Sequence, residues 1–326
     1  MNKFLAKTTL IIAGLFLGAC SSSVNFDLPA TSDNFAQNIT YNNKVDILWI
    51  VDNSSSMLKH QQTLSTQVPD LVEKLNSIKM DYHMAVITSS MGGAAPDGGK
   101  FIGSPKYVTA STPNLISTLQ SRMIVGEAGS NNERGLESME RALSATYLAN
   151  EGQGFFRNDA LLVVIALSDE DDKSAVSNAV TYYTNFLDGI KAPWVDGSRS
   201  WVFNFIGVIP TSSNCSTFND YAESGLRFID LVKESGGVQE SICSTNLSTA
   251  VGNIRARIYQ ILTDFKLTKR PVIETISVII NGQTVPRSTV NGWEYIEASN
   301  LIRFYGTAVP AADASIKVDF KPKDAN

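Results

Sequence analysis

The chain has 326 residues, 43% of them hydrophobic, and a formal net charge of −5 from 27 Lys and Arg against 32 Asp and Glu. Binding to a phosphate backbone needs clustered cations, and the sequence has no basic run, which argues against nucleic acid as a partner. The hydrophobic content is that of a globular chain and allows one large core or two smaller ones.

Lys3 and Lys7 flank the start of a short apolar run, Leu10 to Leu17, which ends in Leu17-Gly18-Ala19-Cys20. This is a signal-peptide layout. A bilayer-spanning helix needs about 20 apolar residues, more than this run supplies. The small residues before Cys20 resemble the lipobox of bacterial lipoproteins. That resemblance implies removal of residues 1–19, acylation of Cys20 and, since Ser21 rather than Asp follows, an outer-membrane lipoprotein that is periplasmic or surface-exposed. Losing Lys3 and Lys7 takes the formal charge from −5 to about −7. With Cys20 acylated, Cys215 and Cys243 are an even pair in an oxidising compartment, which implies one disulfide. It would close a loop of about 30 residues, worth roughly 3 to 4 kcal/mol in the loop-entropy model. A metal site at these cysteines is disfavoured: there is no CxxC spacing, and His60 and His83 are the only histidines.

Residues 20–43 are polar and broken, with Pro29 among Ser, Thr and Asn, and read as a tether. At Val45 a near-continuous apolar run begins, Val45-Asp46-Ile47-Leu48-Trp49-Ile50-Val51, which predicts a buried strand with Trp49 in the core. Leu64, Val68, Leu71, Leu75 and Ile78 have helical spacing, with Pro69 expected to kink or split the helix. A strand over His83 to Thr88 precedes a Gly-rich loop. Helix signals follow at Thr112-Pro113 and at Leu136, Met139 and Leu143. Leu161 to Leu167 predicts a third strand, then come the acidic residues Asp169 to Asp172 and a helix through about Lys191. Trp201 to Ile209 reads as a fourth strand, and Leu247 to Leu267 as a closing helix.

Strands alternating with helices predict an α/β fold, a doubly wound and mostly parallel sheet, over residues 44–267. Residues 268–326 switch to short alternating strands at Thr275 to Ile280, Trp293 to Ile296, Leu301 to Tyr305 and Ser315 to Phe320, with turns at Asn281-Gly282 and Asn291-Gly292. So small a C-terminal β unit buries little alone and is expected to pack against the α/β domain.

Ligands of such sheets bind beyond the carboxyl ends of the strands. One strand end here reads Asp52-Asn53-Ser54-Ser55-Ser56, a D-x-S-x-S pattern, and another reads Ser168-Asp169-Glu170-Asp171-Asp172. Val51 to Met57 resembles the metal-ion-dependent adhesion site of von Willebrand factor A (vWA) domains, with Asp169 in the place of that family's later aspartate. The resemblance covers residues 44 to 265. It implies a site for Mg²⁺, or Mn²⁺ or Ca²⁺, at Asp52, Ser54, Ser56 and Asp169, with a protein partner's carboxylate often completing the octahedron. Hard cations prefer such oxygen donors. The family's threonine has no counterpart in Gly129-Ser130-Asn131-Asn132-Glu133-Arg134-Gly135-Leu136, which leaves Ser130, Asn132 or Glu133 to supply its oxygen. Glu133 would add negative charge, favouring Ca²⁺ or making a partner carboxylate less welcome.

Plainer readings exist for each motif. Ser54 to Ser56 could cap a helix. Asp171 and Asp172 fit a solvated helix start, and His60 and His83 fit surface or strand packing. Taken together, the motifs predict a membrane-anchored, non-catalytic adhesion module that binds its partner through the cation. The rivals are an envelope scaffold with a vestigial metal site and a metal-dependent hydrolase. Hydrolysis is disfavoured, because metal-assisted attack needs a base or a second metal and the sequence supplies no ligand set for one.

Overall fold

The structure is a computed structural model that describes residues 35–39, 42–92, 97–194, 197–210, 223–311 and 314–323. The expected signal peptide, Cys20 and Cys215 lie outside these residues. Within the stretch read as a tether, strand β1 (Phe35–Ile39) pairs antiparallel with the last strand of the chain, Ile316–Phe320. The chain thus re-enters the fold earlier than the change of texture at Val45 suggests. Phe35-Ala36-Gln37-Asn38-Ile39 lacks the strict apolar-polar alternation that marks a half-buried strand, so its pairing is not visible in the sequence.

The central sheet is built from β2 (Lys44–Val51), β3 (Asp81–Thr88), β4 (Leu161–Ser168), β5 (Trp201–Gly207) and β6 (Gln239–Ser241). They lie in the order β3-β2-β4-β5-β6, and every neighbouring pair is parallel. All residues of β4 and all but the first of β2 are buried, because helices cover both faces. Side chains alternate between two cores. Val45, Ile47, Trp49 and Val51 join one with Leu161, Val163, Ile165 and Leu167, while Leu48, Ile50, Leu162 and Val164 join the other.

The first core is roofed by α1 (Leu58–Ser65), α2 (Val68–Ser77), α3 (Leu115–Met123) and the long α8 (Ser248–Thr263); the second takes α4 (Gly135–Ala142), α5 (Ala145–Ala149), α6 (Ala179–Ile190) and α7 (Leu226–Ser235). Pro69 separates α1 from α2 by occupying the first turn of α2, where its missing N–H costs nothing. The closing helix stops at Thr263. Residues 264–266, read from sequence as its last turn, form β7 (Asp264–Lys266), in which Asp264 meets Arg303 through two hydrogen bonds of 2.7 Å.

The C-terminal unit adds β8 (Ser277–Ile280), β9 (Gln283–Val285), β10 (Gly292–Ile296), β11 (Leu301–Tyr305) and β12 (Ile316–Phe320). They form two small antiparallel sheets, β1-β12-β8-β9 and β10-β11-β7. Asn281 and Gly282, with φ of 50° and 80°, make the two-residue turn between β8 and β9 that Asn-Gly predicts. Val278, Trp293, Phe304, Ile316 and Val318 share one core with Ile254, Ile258 and Leu262 of α8 and with the parallel sheet. The expected α/β architecture with a C-terminal β unit is therefore present. Among the described residues no helix is long and apolar enough to cross a membrane.

Candidate functional site

The sheet order places β3 on one side of β2, and β4 followed by β5 on the other. The crossovers therefore diverge between β2 and β4, the position at which sheets of this kind take their ligands. Asp52 follows β2 and Asp169 follows β4, so strand order brings the two motif aspartates to one place.

Asp52 is buried at 1% exposure. Its N–H donates to the Leu167 carbonyl at 3.0 Å. Its Oδ1 accepts the Ser54 N–H at 2.8 Å, and its Oδ2 accepts the Ser168 hydroxyl at 2.6 Å. Gln61, on the buried side of α1, donates to the Asp52 carbonyl (2.9 Å) and is joined to the Gly126 backbone by hydrogen bonds in both directions (2.8 and 3.0 Å). The loop after β2 is thereby fastened to the 126–132 loop. Gly129 closes the same seam, its N–H donating to the Asn53 carbonyl at 2.9 Å. A Cβ at Gly129 would lie 2.4 Å from Asn53 Oδ1, so only glycine permits this approach.

The hydroxyls of Ser54 and Ser56 lie 3.4 Å apart. Helix α1 begins after Met57 and has no side-chain cap, so the serines are not spent on capping it. Asp169 is fully buried, and neither of its carboxylate oxygens has a hydrogen-bond partner. Burial pushes its carboxyl up to about 6; the nearby Ser56 hydroxyl opposes the shift, while the charges of Asp52 and Glu170 add to it.

The three candidates for the missing threonine differ sharply. Asn132 is exposed. Ser130 is half-buried; its hydroxyl accepts the Asn132 N–H at 3.0 Å, and its own N–H donates to the Ser90 hydroxyl at 2.7 Å. Glu133 is buried at 1% exposure, with one carboxylate oxygen accepting the Ser89 hydroxyl and the other, Oε1, without a partner. Burial first and the charge of Asp52 second push its carboxyl up to about 9.

The remaining acids of the second motif are structural. Asp172 is buried and accepts the Leu136 N–H at 2.9 Å, while Ser174 accepts the Glu137 N–H at 3.0 Å, so together they cap α4. Asp171 accepts the Arg227 N–H at the start of α7, at 2.9 Å. Both sit at helix starts, as the sequence suggests, but of helices distant in the chain, and Asp172 is not solvated. α6 itself begins only at Ala179.

Sequence reasoning missed the supports: Ser168 on Asp52, Ser89 on Glu133, and Gln61. Only Gln61 carried a signal, as a polar residue on the helix face that also presents Leu64. Among the described residues, no three His, Cys, Asp or Glu side chains converge closely enough to hold a metal on their own. A cation here would draw on the hydroxyls of Ser54 and Ser56 and on water besides Asp52 and Asp169. The buried oxygens of Asp169, Glu133 and Asn53 that lack partners are the hard donors such an ion takes. Cys243 is buried at 2% exposure.

No family model matches the chain, and no curated protein does. Among solved structures it is similar to proximal thread matrix protein 1 from the mussel byssus, at a TM-score of 0.42 and 10% identity, over 72% of this chain and 51% of that one. It is also similar to the pilus adhesin SpaC from Lactobacillus rhamnosus GG in its open conformation, at a TM-score of 0.36 and 12% identity, over 89% of this chain and 42% of that one. The chain spans about half the length of these proteins or less.

Proposed function

We propose that this chain is a membrane-anchored, non-catalytic binding module of the vWA type that engages a protein partner through a divalent cation, Mg²⁺ or else Mn²⁺ or Ca²⁺. Asp52, Ser54, Ser56 and Asp169 hold the ion, with an oxygen from the 130–133 segment in the place of the family's threonine. Acylated Cys20 provides the anchor, in an outer-membrane lipoprotein, and a Cys215–Cys243 disulfide braces the loop between them.

The observation that carries this reading is Asp169, whose two buried oxygens at the switch point have no partner. An ionised carboxylate in such a place costs several kcal/mol unless a countercharge answers it. Binding is favoured over turnover by what meets at the site, which is carboxylates and hydroxyls. His83 lies near the other end of the sheet, its Nδ1 2.9 Å from the Phe155 carbonyl oxygen.

Capture from the native envelope tests the reading. Wild type in Mg²⁺ should recover a protein partner that is lost on chelation and absent with Asp52→Ala. Recovery indifferent to both, or turnover of a substrate abolished by Asp52→Ala, would contradict it.

A further inference from the structure

The seam where the C-terminal β unit meets the parallel sheet holds a cleft of about 290 Å³ that shares no residue with the cation site. Its walls come from the start of β5, the second half of α8, β7 and the start of β11. The chain as a whole is acidic, yet the charged groups here are three cations, Arg199, Arg257 and Lys266, against one acid, Asp264. Two of these four are already answered. Both oxygens of Asp264 accept from Arg303 at 2.7 Å. Arg199 grips Asp188 by hydrogen bonds of 3.0 and 3.2 Å, and Asp188 also accepts the Trp201 indole N–H at 2.7 Å.

Arg257, half-buried on α8, is different. Its Nε donates to the Gly236 carbonyl at 2.7 Å and its Nη1 to the Gln260 side chain at 2.9 Å, and among the described residues it forms no ion pair. These bonds hold the guanidinium in place without neutralising it. Burial pushes its pKa down, as expected of a cation short of countercharge, and the more distant charge of Asp264 opposes that shift. The planar fork of a guanidinium matches a carboxylate, which it binds more strongly than a neutral group. The cleft is near the lower end of small-molecule sites in volume, far larger than one inorganic ion needs, and Ile261 and Leu301 give it an apolar wall.

We propose that this cleft binds a small organic anion of the dicarboxylate class, held by Arg257 and Lys266 with its hydrocarbon part against Ile261 and Leu301. The site stands independently of the proposed cation site.

Calorimetry on the full chain, freed of divalent cation and at low salt, tests it with succinate, its neutral counterpart succinamide, and inorganic phosphate. Removing cation keeps the carboxylates from reporting on the other site. Wild type should bind succinate in the millimolar range or tighter, and the other two about tenfold more weakly or not at all. Arg257→Gln should weaken succinate about tenfold, as loss of a charge-assisted contact does. Arg257 also secures Gly236, the cap of α7, so a second variant is needed at an exposed position. Lys266→Gln should weaken succinate by about threefold, the scale of an exposed ion pair. No succinate binding by the wild type in the millimolar range, succinamide or phosphate bound as tightly, or unmoved affinity in folded Arg257→Gln overturns the proposal. Where Arg257→Gln does not fold, unmoved affinity in Lys266→Gln does so.

Discussion

The two ends of the parallel sheet bury charge in opposite ways. At the amino end, Asp46 is fully buried on β2 and is met by the Arg157 N–H at 2.7 Å and the Arg157 guanidinium at 2.8 Å. Burial raises its pKa, and Arg157 pulls it back. Lys191, 2% exposed, donates to the carbonyls of Arg157, Asn158 and Ala160. At the carboxyl end, Asp52 is similarly satisfied, yet Asp169 and one oxygen of Glu133 are not. Folded proteins seldom leave buried polar atoms unpaired, and strongly shifted acids in a crevice mark sites of function. The satisfied end therefore reads as a structural lock and the unsatisfied end as a place prepared for a ligand.

The sharpest way to break this contrast is at the lock. Removing one partner from a buried pair costs about 3 to 5 kcal/mol. Arg157→Ala should lower stability by that much in a denaturant titration, equally with and without divalent cation. A loss that cation repairs would mean that the two ends are not distinct.

A smaller effect is expected at the seam between the site loops. Gly129→Ala places a Cβ against Asn53 and should cost about 1 to 3 kcal/mol, as overpacking does. Chemical denaturation measures the cost, and the variant's response to Mg²⁺ should weaken in parallel. An unchanged midpoint would show that the 126–132 loop can move away freely.

A graded lever is pH. Asp169 at about 6 and Glu133 at about 9 hold protons more tightly in the folded chain than their ordinary values of 3.8 and 4.5 allow. The folded state therefore binds the extra protons between those limits. Cation-free stability should be greatest below about pH 4 and should fall as pH rises towards 9, by at most about 1.4 kcal/mol per pH unit for each group. Melting curves in chelator across this range check the sign. Stability rising with pH from 5 to 8.5 would mean that these carboxylates already have countercharges.

Much of this arrangement was legible in the sequence for a simple reason. A strand covered on both faces must be apolar throughout, so Val45 to Val51 and Leu161 to Leu167 stand out, and the oxygen-rich residues after them fall at strand ends. Pro69 and Asn281-Gly282 spoke through backbone chemistry alone. The choice among Ser130, Asn132 and Glu133 was not legible, because it depends on which side chain turns towards hydroxyls from the distant end of β3, Ser89 and Ser90. β6, a three-residue polar edge strand, offers no periodicity to read, and the helical period of α8 runs on through Phe265 and Leu267 although the backbone has already left the helix. Asp171 and Asp172 show the same limit: their partners, α7 and α4, are set by tertiary contact.

The most direct test of the central claim is thermal melting of wild type and Asp169→Asn, each in chelator and at a hundredfold excess of Mg²⁺, Mn²⁺ or Ca²⁺ over its dissociation constant. Mass action then stabilises the wild type by about 2.7 kcal/mol, a shift of a few degrees. Asp169→Asn should melt at or above the wild type in chelator, having lost a buried unpaired charge, and should show no shift with cation. A wild-type curve that none of the three ions moves, or an Asp169→Asn curve that moves as far, would contradict the account.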